Sequence, residues 1–305
     1  AADGARTPLA IMQKFVRNQG DAWTRCVDMF RRAFESLLTA PEDREPDLAE
    51  AFADLIPLAA SVGARTADMH RAFATPTDDP AFMREELDAQ DMAHMAQEAR
   101  EDARRAFAAL ARLRDAPAAT MELAASLLAR REETEALIAH LTQPPGRAMK
   151  IRVHGDYHLR QILIVQRDLR IVDFEGEPAR PPAARFAKDT PLRDVAGLMR
   201  SIAYAAEFAI QGIEARLLTD PARAHALGEA GAALANRAFR QAYEAQAAGA
   251  PALAGDALTQ ERLLGLKLLA KALYEIHYEA EFRPQWIGLP ARGVLQILDS
   301  MGPRA

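Results

Sequence analysis

Several residue types are scarce in this sequence, and each shortage excludes a class of protein. Cys26 is the single cysteine among 305 residues, so an internal disulfide framework is excluded and a reducing compartment is expected. Aromatic residues make up 6% of a chain that is 50% hydrophobic, and alanine supplies much of that half. Small apolar side chains in this proportion favour closely packed helices, and the helical pattern predicts long helices roughly from Glu85 to Arg112 and from Ala118 to Leu141.

An excess of positive charge and long apolar runs are also lacking. The net charge of −5 argues against a nucleic-acid partner, because such a protein needs clustered basic residues. No apolar run approaches the ~18 residues that a membrane helix needs. The first ten residues, AADGARTPLA, do not form a signal peptide. We therefore expect a soluble cytoplasmic protein with no membrane partner.

Glycine and lysine are rare in the first half of the chain. The first 150 residues hold glycine only at positions 4, 20, 63 and 146, and lysine only at Lys14 and Lys150. They therefore contain no glycine-rich loop that could cover a triphosphate. Neither lysine lies in a strand pattern of the V-A-I-K kind.

The most informative stretch runs from Ile151 to Pro178, IRVHGDYHLRQILIVQRDLRIVDFEGEP. Its β-branched runs predict three short strands, at 151–153, 162–165 and 169–172. Residues 166–168 predict the tight connection between the last two strands. Acidic residues follow the first and the third strand, which is typical of an active site built on a hairpin.

The polar residues of this stretch keep the intervals of the protein-kinase catalytic loop, H-R-D-x-x-x-x-N, and of the metal-binding Asp beyond it. Asp156 is placed to accept the proton of an attacking hydroxyl, and His154 to orient the loop by hydrogen bonding. Gln161 and Asp173, twelve residues apart, offer the hard oxygen ligands that Mg²⁺ prefers. Glu175 is a candidate for a second metal or for support of the first.

Other interpretations of the same residues exist. Taken singly, Asp156, Asp173 and Glu175 are ordinary loop acids at hairpin ends. A zinc site at His154-x-x-x-His158 is excluded by context, because HxxxH needs a helix and a further ligand. A glycosidase with two carboxylates stays possible, although it gives no role to Gln161.

The motifs HGDYHLRQILI and DFEGEP resemble those of maltokinases, which belong to the aminoglycoside-phosphotransferase-like kinases and are often fused to trehalose synthase. One departure is Arg160, where that family usually has glycine. The resemblance covers nearly the whole chain, since four further stretches agree with it: LAIMQKFVRNQGDAW near the start, residues 63–74, residues 189–206 and residues 271–298.

The resemblance implies a mainly α fold with a small β-hairpin, namely the C-terminal lobe of a protein-kinase-like fold without its small lobe. Residues 1–17 would be the hinge and the last small-lobe strand, and residues 18–305 the helical lobe with the catalytic hairpin at 151–178. Gln13 and Phe15 would then meet the nucleotide. The scarcity of glycine and lysine agrees with a small lobe that precedes Ala1, and a trehalose synthase domain in the same polypeptide is a further expected partner.

The implied activity is the ATP- and Mg²⁺-dependent phosphorylation of maltose to maltose 1-phosphate. Lys271, Glu275 and Tyr278 share one face of a predicted helix. The resemblance makes these three, together with His158 and Tyr274, candidate acceptor contacts.

Residues on other helices receive supporting roles. The resemblance implies that Asp194 braces the catalytic loop, although an acid at a helix N-terminus can also simply face the helix dipole. Arg193 and Arg200 could pair with Asp194 or with phosphate, and the sequence leaves that choice open. We predict that His70, His94 and His140 are capping or surface residues.

Three rival functions remain. The first is a kinase for another small-molecule alcohol, such as an aminoglycoside or an amino alcohol. The second is a non-catalytic assembly module of a trehalose synthase fusion, and the third is a glycosidase.

Overall fold

The computed structural model describes residues 14–39, 47–114, 116–143, 146–178, 181–213, 220–250, 253 and 255–302. Helices dominate this part of the chain, as predicted. They are α1 (Ala22–Thr39), α2 (Leu48–Ala51), α3 (Leu55–Phe73), α4 (Ala89–Arg112), α5 (Ala118–Ala129), α6 (Arg131–Leu141), α7 (Pro182–Arg185), α8 (Leu192–Gln211), α9 (Pro221–Ala247), α10 (Ala257–Phe282) and α11 (Gly288–Met301), with short 3₁₀ turns at Leu159–Gln161 and Pro284–Trp286.

The described residues form two small antiparallel sheets, where the sequence predicted a single hairpin. The first pairs β1 (Glu85–Glu86) with β2 (Met149–Lys150). The second is the predicted hairpin, in which β3 (Ile162–Val165) pairs with β4 (Asp168–Ile171). The predicted strand at 151–153 is wrong, because only Ile151 makes an isolated bridge, to Asp189. Of residues 1–17, which were expected to hold the hinge and the last small-lobe strand, only residues 14–17 are described, and they have no regular structure.

Capping side chains explain where several helices begin. The predicted helix from Glu85 begins instead at Ala89, because Asp88 and Asp91 form a reciprocal capping box. Asp220 caps α9, and Asp256 caps α10, in each case through the third backbone N–H beyond it. The single helix predicted from Ala118 to Leu141 is divided at Arg130 into α5 and α6.

The core is built by helix pairs that bury alanine and phenylalanine. Phe30 and Phe34 of α1 pack on Phe52, with ring centroids 5.8 and 5.9 Å from it. Helices α3 and α9 cross at Gly63, where a built Cβ would lie 2.1 Å from the carbonyl oxygen of Phe239. Glycine is therefore required for this close approach, and the alanine-rich composition serves the same kind of packing.

The hairpin is attached to the segment that leads into α1. Gln19 N donates to Ile164 O at 2.8 Å, and Ile164 N donates to Gly20 O at 2.9 Å. In the 3₁₀ turn that precedes β3, Leu159 N donates to the hydroxyl of Ser201 on α8 at 3.1 Å. The residues between Ile151 and the hairpin are thus held against the N-terminal half of α8.

Within the described ranges, no helix combines the length and the apolar character needed to cross a membrane.

Candidate active site

The loop that contains Asp156 is fixed by one buried carboxylate. Asp194, in the first turn of α8, accepts hydrogen bonds from His154 N at 2.7 Å and from Gly155 N at 3.0 Å. Its side chain is fully buried. Gly155 has φ +85°, a conformation that glycine adopts without strain. The contacts are those that a brace of the loop requires.

His70 contributes to this brace, although the sequence predicted a capping or surface role for it. It is completely buried, and its Nε2 lies 3.1 Å from Asp194 Oδ2 while Nδ1 lies 3.0 Å from the hydroxyl of Tyr243. Because a carboxylate can only accept, Nε2 carries a proton and donates it to Asp194, while Nδ1 shares a hydrogen bond with the tyrosine hydroxyl. No sequence motif pointed to His70, since its partners are 124 and 173 residues away.

Burial by itself would raise the pKa of Asp194. The hydrogen bond and charge of His70, with the charge of His154 and the Gly155 amide, reverse this and hold the pKa below its usual value of 3.8. The carboxylate is therefore ionised throughout the physiological range, as an acceptor of three hydrogen bonds must be.

His154 makes a hydrogen bond of the kind expected of a residue that orients the loop. Its Nε2 donates to the carbonyl oxygen of Val172 at 2.9 Å, so the loop is tied to the segment that carries Asp173. The imidazole ring packs 5.0 Å from the ring of Phe174. Loop and segment are in contact, because a Cβ built on Gly155 would lie 3.6 Å from Cα of Gly176.

Gln161 and Asp173, the predicted metal ligands, lie side by side, with Gln161 Nε2 2.8 Å from Asp173 Oδ2. Asp173 has φ +67°, in the left-handed region where Asp is one of the few tolerated side chains. Such backbone strain is concentrated at functional sites. Glu175 is exposed, and its role stays a prediction.

These residues fit a magnesium ion. In the described residues, no three His, Cys, Asp or Glu side chains converge on a possible metal position. Mg²⁺, however, is usually held by one or two carboxylates together with substrate phosphates and water, so it does not need such a cluster. An adjacent amide and carboxylate are sufficient protein donors.

Asp156 lines a pocket that is also formed by residues of α4, α8 and α10. His158 lies beside it, with Nε2 3.9 Å from Asp156 Oδ2. Burial lowers the pKa of His158, and Lys271 lowers it further, while Asp156 acts in the opposite direction. His158 is therefore neutral at pH 7. Lys271 and Tyr274 also line this pocket, and the Lys271 ammonium lies 5.0 Å from the centre of the Tyr274 ring.

Two of the predicted acceptor contacts do not line this pocket. Glu275 is buried in an ion pair with Arg200, with Arg200 Nη2 2.7 Å from Glu275 Oε2. Tyr278 is exposed and packs on Phe282, with ring centroids 4.8 Å apart. For Glu275 and Tyr278, a contact with the acceptor therefore stays a prediction without support from this pocket.

The pocket also contains residues that the sequence analysis missed. Glu98 and Asp102 lie on α4, Glu177 and Asp189 lie in the chain before α8, and Lys267 lies on α10. No local sequence pattern distinguished these residues from charged residues on a solvated surface.

The remaining predictions concern the nucleotide side. Gln13 lies outside the described residues, and Phe15 is 81% exposed, so their proposed contact with nucleotide stays a prediction. Arg160 turns outward, with its guanidinium 5.0 Å from the centre of the Trp23 ring. The departure at position 160 is thus accommodated by stacking on α1.

An Asp on a braced loop, followed by an amide–carboxylate pair, is the arrangement of a phosphotransferase site. Comparisons with known proteins point to sugar kinases. The chain is 28% identical over 298 residues to the glucosamine kinase of Streptacidiphilus jiangxiensis, covering 97% of this chain and 59% of that protein. It is 27% identical over 310 residues to the glucosamine kinase of Mycolicibacterium smegmatis (strain ATCC 700084 / mc(2)155), covering 98% and 65%. No family model matches.

Solved structures agree with the sequence comparison. A glucosamine kinase in complex with glucosamine, ADP and inorganic phosphate superimposes with a TM-score of 0.71 at 28% identity, covering 92% of this chain and 61% of that one. A second crystal form of glucosamine kinase gives the same TM-score and covers 59% of that chain. The chain thus spans about 60% of the length of the relatives that it matches.

These findings correct the identification made from the sequence. The kinase part of the prediction is supported, but the assignment to maltokinases is wrong, because the relatives are glucosamine kinases. Maltose as acceptor and trehalose synthase as partner are therefore wrong as well. The description as a lone C-terminal lobe is also wrong, since 92% of the chain follows the fold of a glucosamine kinase.

We predict that Asp194→Asn lowers the free energy of unfolding by about 3 kcal/mol at pH 7, because the loop amides and His70 lose a charged acceptor. Since the folded-state pKa of Asp194 is depressed, its contribution is fully present above pH ~4 and is lost as the pH falls through that folded-state pKa. Urea unfolding at pH 7, 5 and 3 measures this. The difference in free energy of unfolding between wild type and variant should be equal at pH 7 and pH 5 and smaller at pH 3. A difference that does not change with pH would contradict a depressed pKa for Asp194.

Proposed function

We propose that this protein is an ATP-dependent sugar kinase whose acceptor is an amino sugar, with glucosamine as the first candidate. The observation that carries the proposal is the position of Asp156. It stands on a loop fixed by Asp194, at the mouth of a pocket, and the loop contacts the segment that holds Asp173. The similarity to glucosamine kinases supports the same class of reaction.

The chemistry follows from this geometry. An acceptor hydroxyl in the pocket would donate a hydrogen bond to the Asp156 carboxylate. As the hydroxyl oxygen forms a bond to the γ-phosphorus of ATP, the bond between that phosphorus and the ADP oxygen breaks, and the proton passes to Asp156. The products are a sugar phosphate and ADP. The protein forms no covalent bond to the transferred group in this scheme, so catalysis depends mainly on the precise position of Asp156 and on charge stabilisation.

Gln161 and Asp173 are the residues that would hold Mg²⁺, which supplies charge neutralisation on the transferred phosphoryl group. The left-handed backbone at Asp173 directs its side chain toward Gln161. His154 keeps this segment and the catalytic loop together through Val172.

The charge of the pocket favours a cationic acceptor. Among the described residues, six acidic and three basic side chains line it: Glu98, Asp102, Asp156, Glu177, Asp189 and Asp194 against Arg193, Lys267 and Lys271. A surplus of carboxylates stabilises an ammonium group and gives no such advantage to a neutral sugar. An amino sugar therefore suits the pocket better than its neutral analogue.

The acceptor is tested with the natural full-length protein, MgATP and a panel of glucosamine, N-acetylglucosamine, glucose, maltose and an aminoglycoside. We expect kcat/KM for glucosamine to exceed that for glucose by about tenfold or more, because the amino group meets a site built for it. N-acetylglucosamine is the matched control, since it keeps the ring and loses the charge. Equal turnover of glucose and glucosamine would refute an amino-sugar acceptor.

The role of Asp156 is tested by Asp156→Asn, which keeps the shape of the side chain and removes its basicity. We expect kcat to fall by about 10²- to 10⁴-fold while the melting temperature stays within about 2 °C of the wild type. Asp28→Asn on the exposed face of α1 is the control for loss of one carboxylate. An Asp156 variant that retains most of its turnover would exclude it as the base.

The metal site is tested by Asp173→Asn. Loss of a carboxylate ligand should raise the Mg²⁺ concentration for half-maximal activity by about tenfold or more, with a smaller change at saturating Mg²⁺. Glu175→Gln is the matched comparison, because it removes the neighbouring acid. An unchanged Mg²⁺ dependence in Asp173→Asn would show that another group holds the metal, and a rise in Glu175→Gln would bring that residue into the site.

A further inference from the structure

The peptide unit that joins Gly155 to Asp156 is held by a side chain with no role in the scheme above. Arg193, one residue before Asp194, donates from Nη2 to the carbonyl oxygen of Gly155 at 3.1 Å. That carbonyl belongs to the same rigid peptide plane as the N–H of Asp156. Holding the oxygen therefore fixes the plane from which the Asp156 side chain projects.

Arg193 is itself held in place. Its Nη1 lies 3.6 Å from Asp189 Oδ2, and the Lys267 ammonium lies 2.7 and 2.8 Å from the two oxygens of the same carboxylate. The three side chains are 11–17% exposed. Ion pairs that are largely removed from water are screened much less than those at the surface. Lys267 therefore fixes Asp189, and Asp189 directs Arg193.

The backbone of this segment contacts the loop as well. Asp189 and Ile151 exchange two backbone hydrogen bonds of 3.0 Å, just before the loop begins. The loop is thus fixed at Ile151 by Asp189, at the amides of His154 and Gly155 by Asp194, and at the Gly155 carbonyl by Arg193. Only the last of these contacts acts directly on the peptide of Asp156.

We infer that Arg193 is a positioning residue for Asp156, and that Asp189 and Lys267 hold Arg193 in the required orientation. The inference rests on the proposed kinase activity for its catalytic consequence, while the structural part stands without it. Arg193 acts through the peptide and does not contact the reacting groups. Its loss should therefore reduce the rate of phosphoryl transfer more than the binding of either substrate.

The activity test compares Arg193→Met with wild type in the natural full-length protein, using MgATP and glucosamine. Methionine keeps the length of the side chain and removes every donor. We expect kcat to fall by about 100-fold, the effect of a misplacement near 1 Å, with both KM values within about threefold. Arg193→Lys should recover part of the rate, because one ammonium cannot replace a fork that spans Gly155 and Asp189.

A structural readout separates this inference from the proposed function. Amide hydrogen exchange of the peptide that covers Gly155, Asp156 and Tyr157 should be at least about tenfold faster in Arg193→Met than in wild type, with a smaller increase in Lys267→Met. Arg237→Met on the exposed face of α9 is the matched control, for which exchange and kcat should stay within about twofold of the wild-type values.

The possible outcomes test the proposed function and the role of Arg193 separately. A wild type that phosphorylates no sugar refutes the proposed function, and hydrogen exchange still tests the position of the loop. A raised KM for ATP with unchanged kcat would make Arg193 a phosphate-binding residue and overturn the inference. Unchanged exchange at Gly155 and Asp156 would overturn it too, as would a lower melting temperature with normal kcat per folded molecule.

Discussion

The site depends on the capture of the loop's backbone by a single ionised carboxylate. Two successive amides, those of His154 and Gly155, donate to Asp194, which has no contact with solvent. A buried charge is costly unless it is hydrogen-bonded, and here His70 supplies the third donor. The loop and the core therefore stabilise each other, because release of the loop would leave the carboxylate buried with its hydrogen bonds unmade.

A buried ion pair and a hydrogen bond to a buried carboxylate join the helices around the pocket. Glu275 of α10 pairs with Arg200 of α8, and Glu279 accepts from the hydroxyl of Tyr204 at 3.0 Å. Burial raises the pKa of Glu279, with Arg283 and Tyr204 acting against it. These pairs join α8, which carries Asp194, to α10, which carries Lys271. Their physical role is to fix the register of two helices that line the pocket from different sides.

The sequence predicted those features whose information is local. The hairpin, the spacing of His154, Asp156 and Gln161, and most helices followed from periodicity, turn residues and motif intervals. The start of α4 was misplaced because Asp88 and Asp91 cap it, a local signal that was passed over. The bridge at Ile151 was misread as a strand because its partner, Asp189, lies in a segment without strand periodicity.

Features that depend on distant contacts were not predictable in this way. His70 looked like any other helical histidine, and only the fold brings it to Asp194. Glu275 was assigned to the acceptor because helical spacing placed it with Lys271, whereas Arg200, 75 residues away, buries it. The acceptor was misassigned for a related reason, since specificity lies in a few pocket side chains that a shared catalytic motif does not determine.

The crossing of α3 and α9 extends its influence to the catalytic loop. A side chain at Gly63 would meet not only the Phe239 carbonyl but also the backbone nitrogen of Tyr243, at 3.0 Å. Two turns along α3, His70 reaches the hydroxyl of that same tyrosine. The spacing between the two helix axes therefore sets the distance across which His70 joins Tyr243 to Asp194. The close packing of α3 against α9 thus helps to set the position of the loop that holds Asp156.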